Sequence, residues 1–167
     1  PITIDTYGGT VQLADALNIG TNNLTVTNGT FNTQGYAVTC GTLSSSNSNV
    51  RTISLGASTV NATSTSFTTN TNLTFNAGTS QLNLTANGSL LTGGLTYYNV
   101  AFTATTSATN GATGSNTFNN LTITPTASTG IQTFSFSANQ TINGTLTCAG
   151  AYAIRRVFLA SNTIGTQ

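Results

Sequence analysis

The chain has 167 residues and a formal net charge of +1, and its only charged side chains are Arg51, Arg155, Arg156, Asp5 and Asp15. It holds no His, Lys, Glu, Met or Trp, so the groups that usually carry protons near neutral pH are missing and most enzyme chemistry is excluded. Three arginines are too few to neutralise a row of phosphates, which excludes nucleic acid as a partner.

In chain order, short apolar/polar alternations recur: Ile2-Thr3-Ile4, Leu24-Thr25-Val26, Ile53-Ser54-Leu55, Leu73-Thr74-Phe75, Leu82-Asn83-Leu84, Leu121-Thr122-Ile123 and Phe134-Ser135-Phe136. A period of two predicts strands with one buried face. Between them stand Asn28-Gly29, Ser44 through Asn49, Asn87-Gly88, Gly93-Gly94, Asn110-Gly111 and Asn143-Gly144. These read as turns, because Asn and Gly tolerate positive φ. The two short helix candidates are Ala14 to Ile19 and Ala151 to Leu159, the second reading equally as a strand that carries Arg155 and Arg156. Pro1 and Pro125 fall at an end or just after a strand, where a missing N–H does least harm.

The size fits one module spanning 1–167, and a chain this close to neutral lacks the signature of disorder. Low charge also removes the repulsion that keeps copies apart, so self-association is expected. No run of about 18 apolar residues and no basic, leucine-rich opening is present, so membrane insertion is not expected. The phrases Asn23-Leu24-Thr25-Val26-Thr27, Asn72-Leu73-Thr74-Phe75-Asn76 and Asn120-Leu121-Thr122-Ile123-Thr124 recur at a spacing of about 48 residues. That spacing predicts a β-solenoid in which one repeat makes two rungs. The competing fold is a β-sandwich or jelly roll, which also shows short strands separated by turns. Opening directly in a strand, with no charged or helical cap at either end, favours the solenoid.

Gly35-Tyr36-Ala37-Val38-Thr39-Cys40-Gly41, the stretch Ser44 to Gly56, Gly94-Leu95-Thr96-Tyr97-Tyr98-Asn99-Val100, Ser115 to Thr122 and Ala138 to Leu146 carry a resemblance. They resemble repeat segments of long phage virion-associated (tail or head fibre-like) and bacterial surface β-repeat proteins of environmental origin. The resemblance covers most of the chain, and it implies an extracellular or virion-surface fibre or adhesin without catalytic residues.

Individual residues with possible chemistry each have a plainer role beside it. Asp5 and Asp15 are the only carboxylates, and a glycosidase needs a pair held about 5 to 9.5 Å apart; turn or cap positions explain both. The abundant hydroxyls have no His or Lys to take a proton. Tyr36, Tyr97 and Tyr98 are candidate platforms for a surface glycan, although alternation places Tyr97 and Tyr98 on opposite faces. Arg51, Arg155 and Arg156 are candidates for contact with a neighbouring copy or an anionic surface, set against bonding to backbone carbonyls at rung ends. Cys40 and Cys148 end similar phrases and are expected in the same kind of core slot, as buried thiols, with a disulfide the lesser alternative. Two thiols do not complete a metal site, so no cofactor is expected. Thr25/Thr27, Thr63/Thr65, Thr103/Thr105, Thr122/Thr124 and Thr145/Thr147 are local Thr-x-Thr pairs of the kind that order water on ice-binding solenoids, but their spacing is irregular. The nine Asn-x-Ser/Thr triplets, from Asn23 to Asn143, are what this composition yields by chance. The expected function is a structural or adhesive module of an extracellular fibre, partnered by copies of itself or by a host-surface glycan. A glycan-binding sandwich is the main alternative, and ice binding or polysaccharide cleavage are remote ones.

Overall fold

A computed structural model describes residues 1–104, 109–124, 130–148 and 155–161. Its strands are β1 (Ile2–Gln12), β2 (Leu17–Asn18), β3 (Leu24–Asn32), β4 (Val38–Ser44), β5 (Arg51–Ser54), β6 (Thr59–Ser66), β7 (Leu73–Asn76) and β8 (Gln81–Leu84). They continue with β9 (Leu90–Leu91), β10 (Thr96–Phe102), β11 (Asn110–Ala112), β12 (Thr117–Ile123), β13 (Gly130–Phe136), β14 (Thr141–Ile142), β15 (Leu146–Thr147) and β16 (Arg155–Ser161). Every pairing among them is parallel. The fold is a β-solenoid of about seven turns, with no helix among the described residues. Parallel strands cannot be joined by tight hairpins, so each strand meets its partner only after a full coil.

Three ladders run along the axis. One passes through Val11, Phe31, Ile53 and Phe75, and one rung on it continues through Tyr97, Phe118 and Ile142. The second runs Leu17, Val38, Val60, Leu82, Val100, Leu121 and Leu146. The third starts at Ile2, Leu24, Leu43 and Thr65. It passes to the four-stranded sheet β9, β11, β13 and β16 where Thr92 N donates to Thr65 Oγ1 at 3.1 Å. Alternate residues on all three ladders turn inward and form one continuous core, the way in which single strands of two to eleven residues bury their apolar face on the next coil.

Ala14 to Ile19 forms no helix; it holds strand β2, because Leu17 pairs with Val38. Of the second helix candidate, 151–154 lie outside the described residues and Arg155 onward is strand β16. Pro125 and Thr105 also lie outside them. Asn110-Gly111 is not a turn but part of β11, where Gly111 is needed for close approach: a Cβ there would sit 2.8 Å from Ser135 O. The phrases at Asn23, Asn72 and Asn120 stand on three different ladders, since Leu24 pairs with Leu43, Leu73 with Arg51 and Leu121 with Val100. Their common spacing is therefore not the rung repeat. The coil is about half as long: Thr30 pairs with Thr52 and Thr52 with Thr74, steps of 22 residues.

Candidate functional site

The first ladder carries a pattern that the sequence reading passed over. Each of its inward residues is preceded by threonine: Thr10, Thr30, Thr52, Thr74, Thr96, Thr117 and Thr141. Thr10 pairs with Thr30, Thr30 with Thr52, Thr52 with Thr74, Thr96 with Thr117 and Thr117 with Thr141. The step from Thr74 to Thr96 is bridged beneath by Phe75 and Tyr97, whose rings meet edge to face at 5.2 Å. The result is one outward threonine per coil in two hydrogen-bonded runs, Thr10 to Thr74 and Thr96 to Thr141, each repeating at the interstrand distance of about 4.8 Å, while β7 and β10 between them are not paired. On the far side of each inward residue stands a second outward column: Gln12, Asn32, Ser54, Asn76, Tyr98, Asn119 and Asn143. It runs about 6.7 Å from the first, the two-residue rise of a strand.

The two columns differ in how their polar groups are used. Among the described residues, no protein partner takes any of the seven threonine hydroxyls. Threonines elsewhere bond backbone carbonyls of the preceding coil, as Thr85 does to Ala62 O and Thr103 to Leu84 O, both at 3.3 Å, and Thr27 to Ile4 O at 3.0 Å. Much of the second column is tied down: Asn32 Oδ1 accepts from Gln34 N at 2.9 Å, and Asn76 Nδ2 donates to Ser54 Oγ at 3.2 Å. Beneath lies an aromatic stack in which Tyr97 and Phe118 lie 5.9 Å apart.

Two proposed contact residues are inside. Arg51 is 1% exposed. Its Nε donates to Ser45 Oγ at 2.7 Å, Nη1 to Asn49 O and Thr71 O at 2.6 and 2.8 Å, and Nη2 to Ser45 O and Thr69 O at 3.1 and 2.6 Å. All five guanidinium N–H groups are thereby used, which offsets the cost of burying a cation with no carboxylate against it. Burial still lowers its pKa from the ordinary value. Arg51 is a staple across the corner of the coil and is closed to any partner. Tyr97 is likewise buried, its hydroxyl donating to Thr92 O at 3.1 Å, and burial pushes its pKa up despite the lowering effect of Thr65. A ring in the core cannot stack on a sugar.

Tyr98, half-buried, faces outward as alternation requires, while Tyr36 is exposed in the turn after β3. They do not meet: the second ladder passes from Val38 to Val100 only through Val60 and Leu82, three rungs or about 14 Å on. Arg156 is exposed and Arg155 half-buried on β16, in the other sheet from Arg51. Asp5 is exposed opposite Asn28, and exposed Asp15 accepts from Ala16 N at 2.7 Å.

The sequence reading missed Tyr7. It is 86% exposed, with a left-handed backbone (φ 45°), on the bulge where β1 slips register between Asp5 and Thr10. The bulge crosses β3 at Gly29 (φ 78°), where a Cβ would collide with Thr6 and lie 2.7 Å from Gly9 O. Tyr7, Gly8, Asn28, Thr30, Thr52 and Val50, itself 73% exposed, line an open groove of about 380 Å³.

Cys40 and Cys148 do share one core column. Cys40 pairs with Ala62, Ala62 with Leu84, Leu84 with Phe102 and Phe102 with Ile123, and Cys148 follows the pair Thr122 and Thr147. Five rungs, about 24 Å, separate them, so the disulfide alternative fails within one chain; both are free. Burial pushes the Cys40 thiol up to about 11 and raises that of half-buried Cys148. No protein-family model matches the chain, and neither a curated protein nor a solved structure matches it.

Proposed function

We propose that the chain is a structural and adhesive module of an extracellular fibre, most readily of a phage virion, in which the solenoid serves as a stiff shaft segment. The observation that carries this reading is the run of parallel ladders from Ile2 to Ser161. Among the described residues, β1 and β2 at one end and β14, β15 and β16 at the other pair on one side only. Unpaired strand edges are templates for further pairing. Those edges carry exposed apolar side chains, Ile2 and Val11 at the first end and Leu146, Phe158 and Leu159 at the second. A copy of the chain adding its β1 to β16 would continue the ladders. Negative-stain microscopy with light scattering tests this: rods that lengthen with concentration and resist protease are expected, and compact monomeric particles at all concentrations would overturn it.

A second reading, a glycan contact, is favoured by the Tyr7 groove rather than by Tyr97 or Arg51. An exposed aromatic ring fixed on a strained bulge beside Asn28 and Thr30 has the form of a sugar-stacking corner. Its test is a glycan array with wild type and Tyr7→Ala. Binding lost in the variant supports it, and binding equal in both would remove the corner from consideration.

A further inference from the structure

We propose that the two-column face built on the threonine ladder from Thr10 to Thr141 binds ice. This is independent of the fibre reading, since one copy carries the whole face.

The periodicity comes from the backbone. Within each of the two paired runs, interstrand hydrogen bonds set the rung spacing at about 4.8 Å and the strand rise sets the second direction at about 6.7 Å, so the outward groups of four coils from Thr10 to Thr74 and of three from Thr96 to Thr141 form two-dimensional nets that meet over Phe75 and Tyr97. The in-register pairs Thr30 with Thr52 and Thr52 with Thr74 carry no register shift. The oxygen repeat along the a axis of ice lies close to the rung spacing, so successive threonine hydroxyls can stand in for successive lattice waters.

Chemistry points the same way. A β-branched side chain in a strand has a restricted χ1, so each threonine presents its hydroxyl and its methyl in a set orientation and little entropy is lost when water orders against it. The hydroxyls are unused within the protein, unlike those of Thr27, Thr85 and Thr103. The methyl groups add apolar surface between them. Neither column holds a charged side chain that would keep its own differently ordered hydration shell; Arg51, the one cation beside the face, is turned into the core and saturated there. The packed rings of Phe75, Tyr97 and Phe118 stiffen the net from below. Each position contributes little, and affinity comes from many positions engaging together.

A crystalline polysaccharide also presents a periodic array of hydroxyls. Its recognition relies on a row of aromatic platforms, whereas Tyr98 is the only ring within the two columns and Tyr7 stands singly beside Thr30 and Thr52 near one end of the face. Ice is therefore the better fit.

The test is ice-affinity adsorption and ice recrystallisation with the purified chain, wild type against T52K/T74K, with T59K as control. Thr59 is exposed on a different ladder, opposite Gln81. Wild type and T59K are expected to adsorb to ice and keep crystals small, with at least a tenfold loss in T52K/T74K at unchanged circular dichroism. T52V/T74V, which keeps volume and strand propensity, is read where the lysines disturb folding, and it too is expected to lose activity severalfold. The proposal is overturned if folded wild type leaves recrystallisation unchanged, if the Thr52/Thr74 variants match wild type, or if the face retains the chain on powdered cellulose or chitin but not on ice.

Discussion

The coils between β3 and β8 and those that follow them are built differently. From Gly29 to Arg51 to Leu73, and from Val38 to Val60 to Leu82, every step is 22 residues. Beyond that, Gln81 pairs with Asn99 after 18 residues, Thr96 with Thr117 after 21, Thr117 with Thr141 after 24 and Leu121 with Leu146 after 25. Yet the inward residues stay on their columns throughout. Length differences are taken up at corners such as Gly93-Gly94, where both residues have positive φ (116° and 61°), because a loop lengthens at small entropic cost while a strand cannot slip by one residue without turning its apolar face outward.

That contrast predicts its own largest break. Deleting Thr52 moves Ile53 and Arg51 out of register with Phe31 and Gly29, and a cooperative thermal transition is expected to disappear. Inserting a single glycine between Asn87 and Gly88 should leave the melt within a few degrees, and an equal loss in both variants would refute the distinction between ladder and corner. Next in size, Phe118→Ala empties a fully buried site and should cost about 4 kcal/mol, seen as a drop in denaturation midpoint. Phe136→Ala, at a half-buried site in the same uneven coils, should cost clearly less.

The staple of the regular coils should rank third. Arg51→Lys keeps the charge but leaves two of five acceptors unserved, and a loss of about 2 to 3 kcal/mol is expected by urea denaturation. The smallest effect is on pH. The folded Cys40 thiol is raised from 9.0 to about 11 by burial, so its stabilising contribution is whole below pH 9 and is lost as pH climbs to 11. Burial shifts Tyr97 in the same sense and adds to the slope. Melting temperature should fall across that window, and more shallowly in Cys40→Ala; an identical slope in that variant would show that Cys40 is not the group responsible.

Much of this was legible in the chain. Alternation in Leu82-Asn83-Leu84 and Phe134-Ser135-Phe136 marked strands with one buried face, and the matching phrases before Cys40 and Cys148 marked one core column. The threonine ladder was not, because corners of unequal length blur its period and threonine is too common for Thr30-Phe31-Asn32, Thr74-Phe75-Asn76 and Thr117-Phe118-Asn119 to stand out from the Asn-Leu-Thr phrases. Bonding of Arg51 to backbone carbonyls at a rung end was legible as the plainer reading of that residue, but its full burial was not, because the groups that satisfy it are mostly main-chain carbonyls brought in from other coils.

The sequence by itself determined that this polypeptide is all-β, nearly uncharged and poor in groups that exchange protons, since side-chain period and composition are local properties. Only the tertiary structure decided which threonines line up, which arginine is swallowed and how far apart the cysteines stand. Those depend on which strand lies one coil above another, and that register is set by the packing of the whole core.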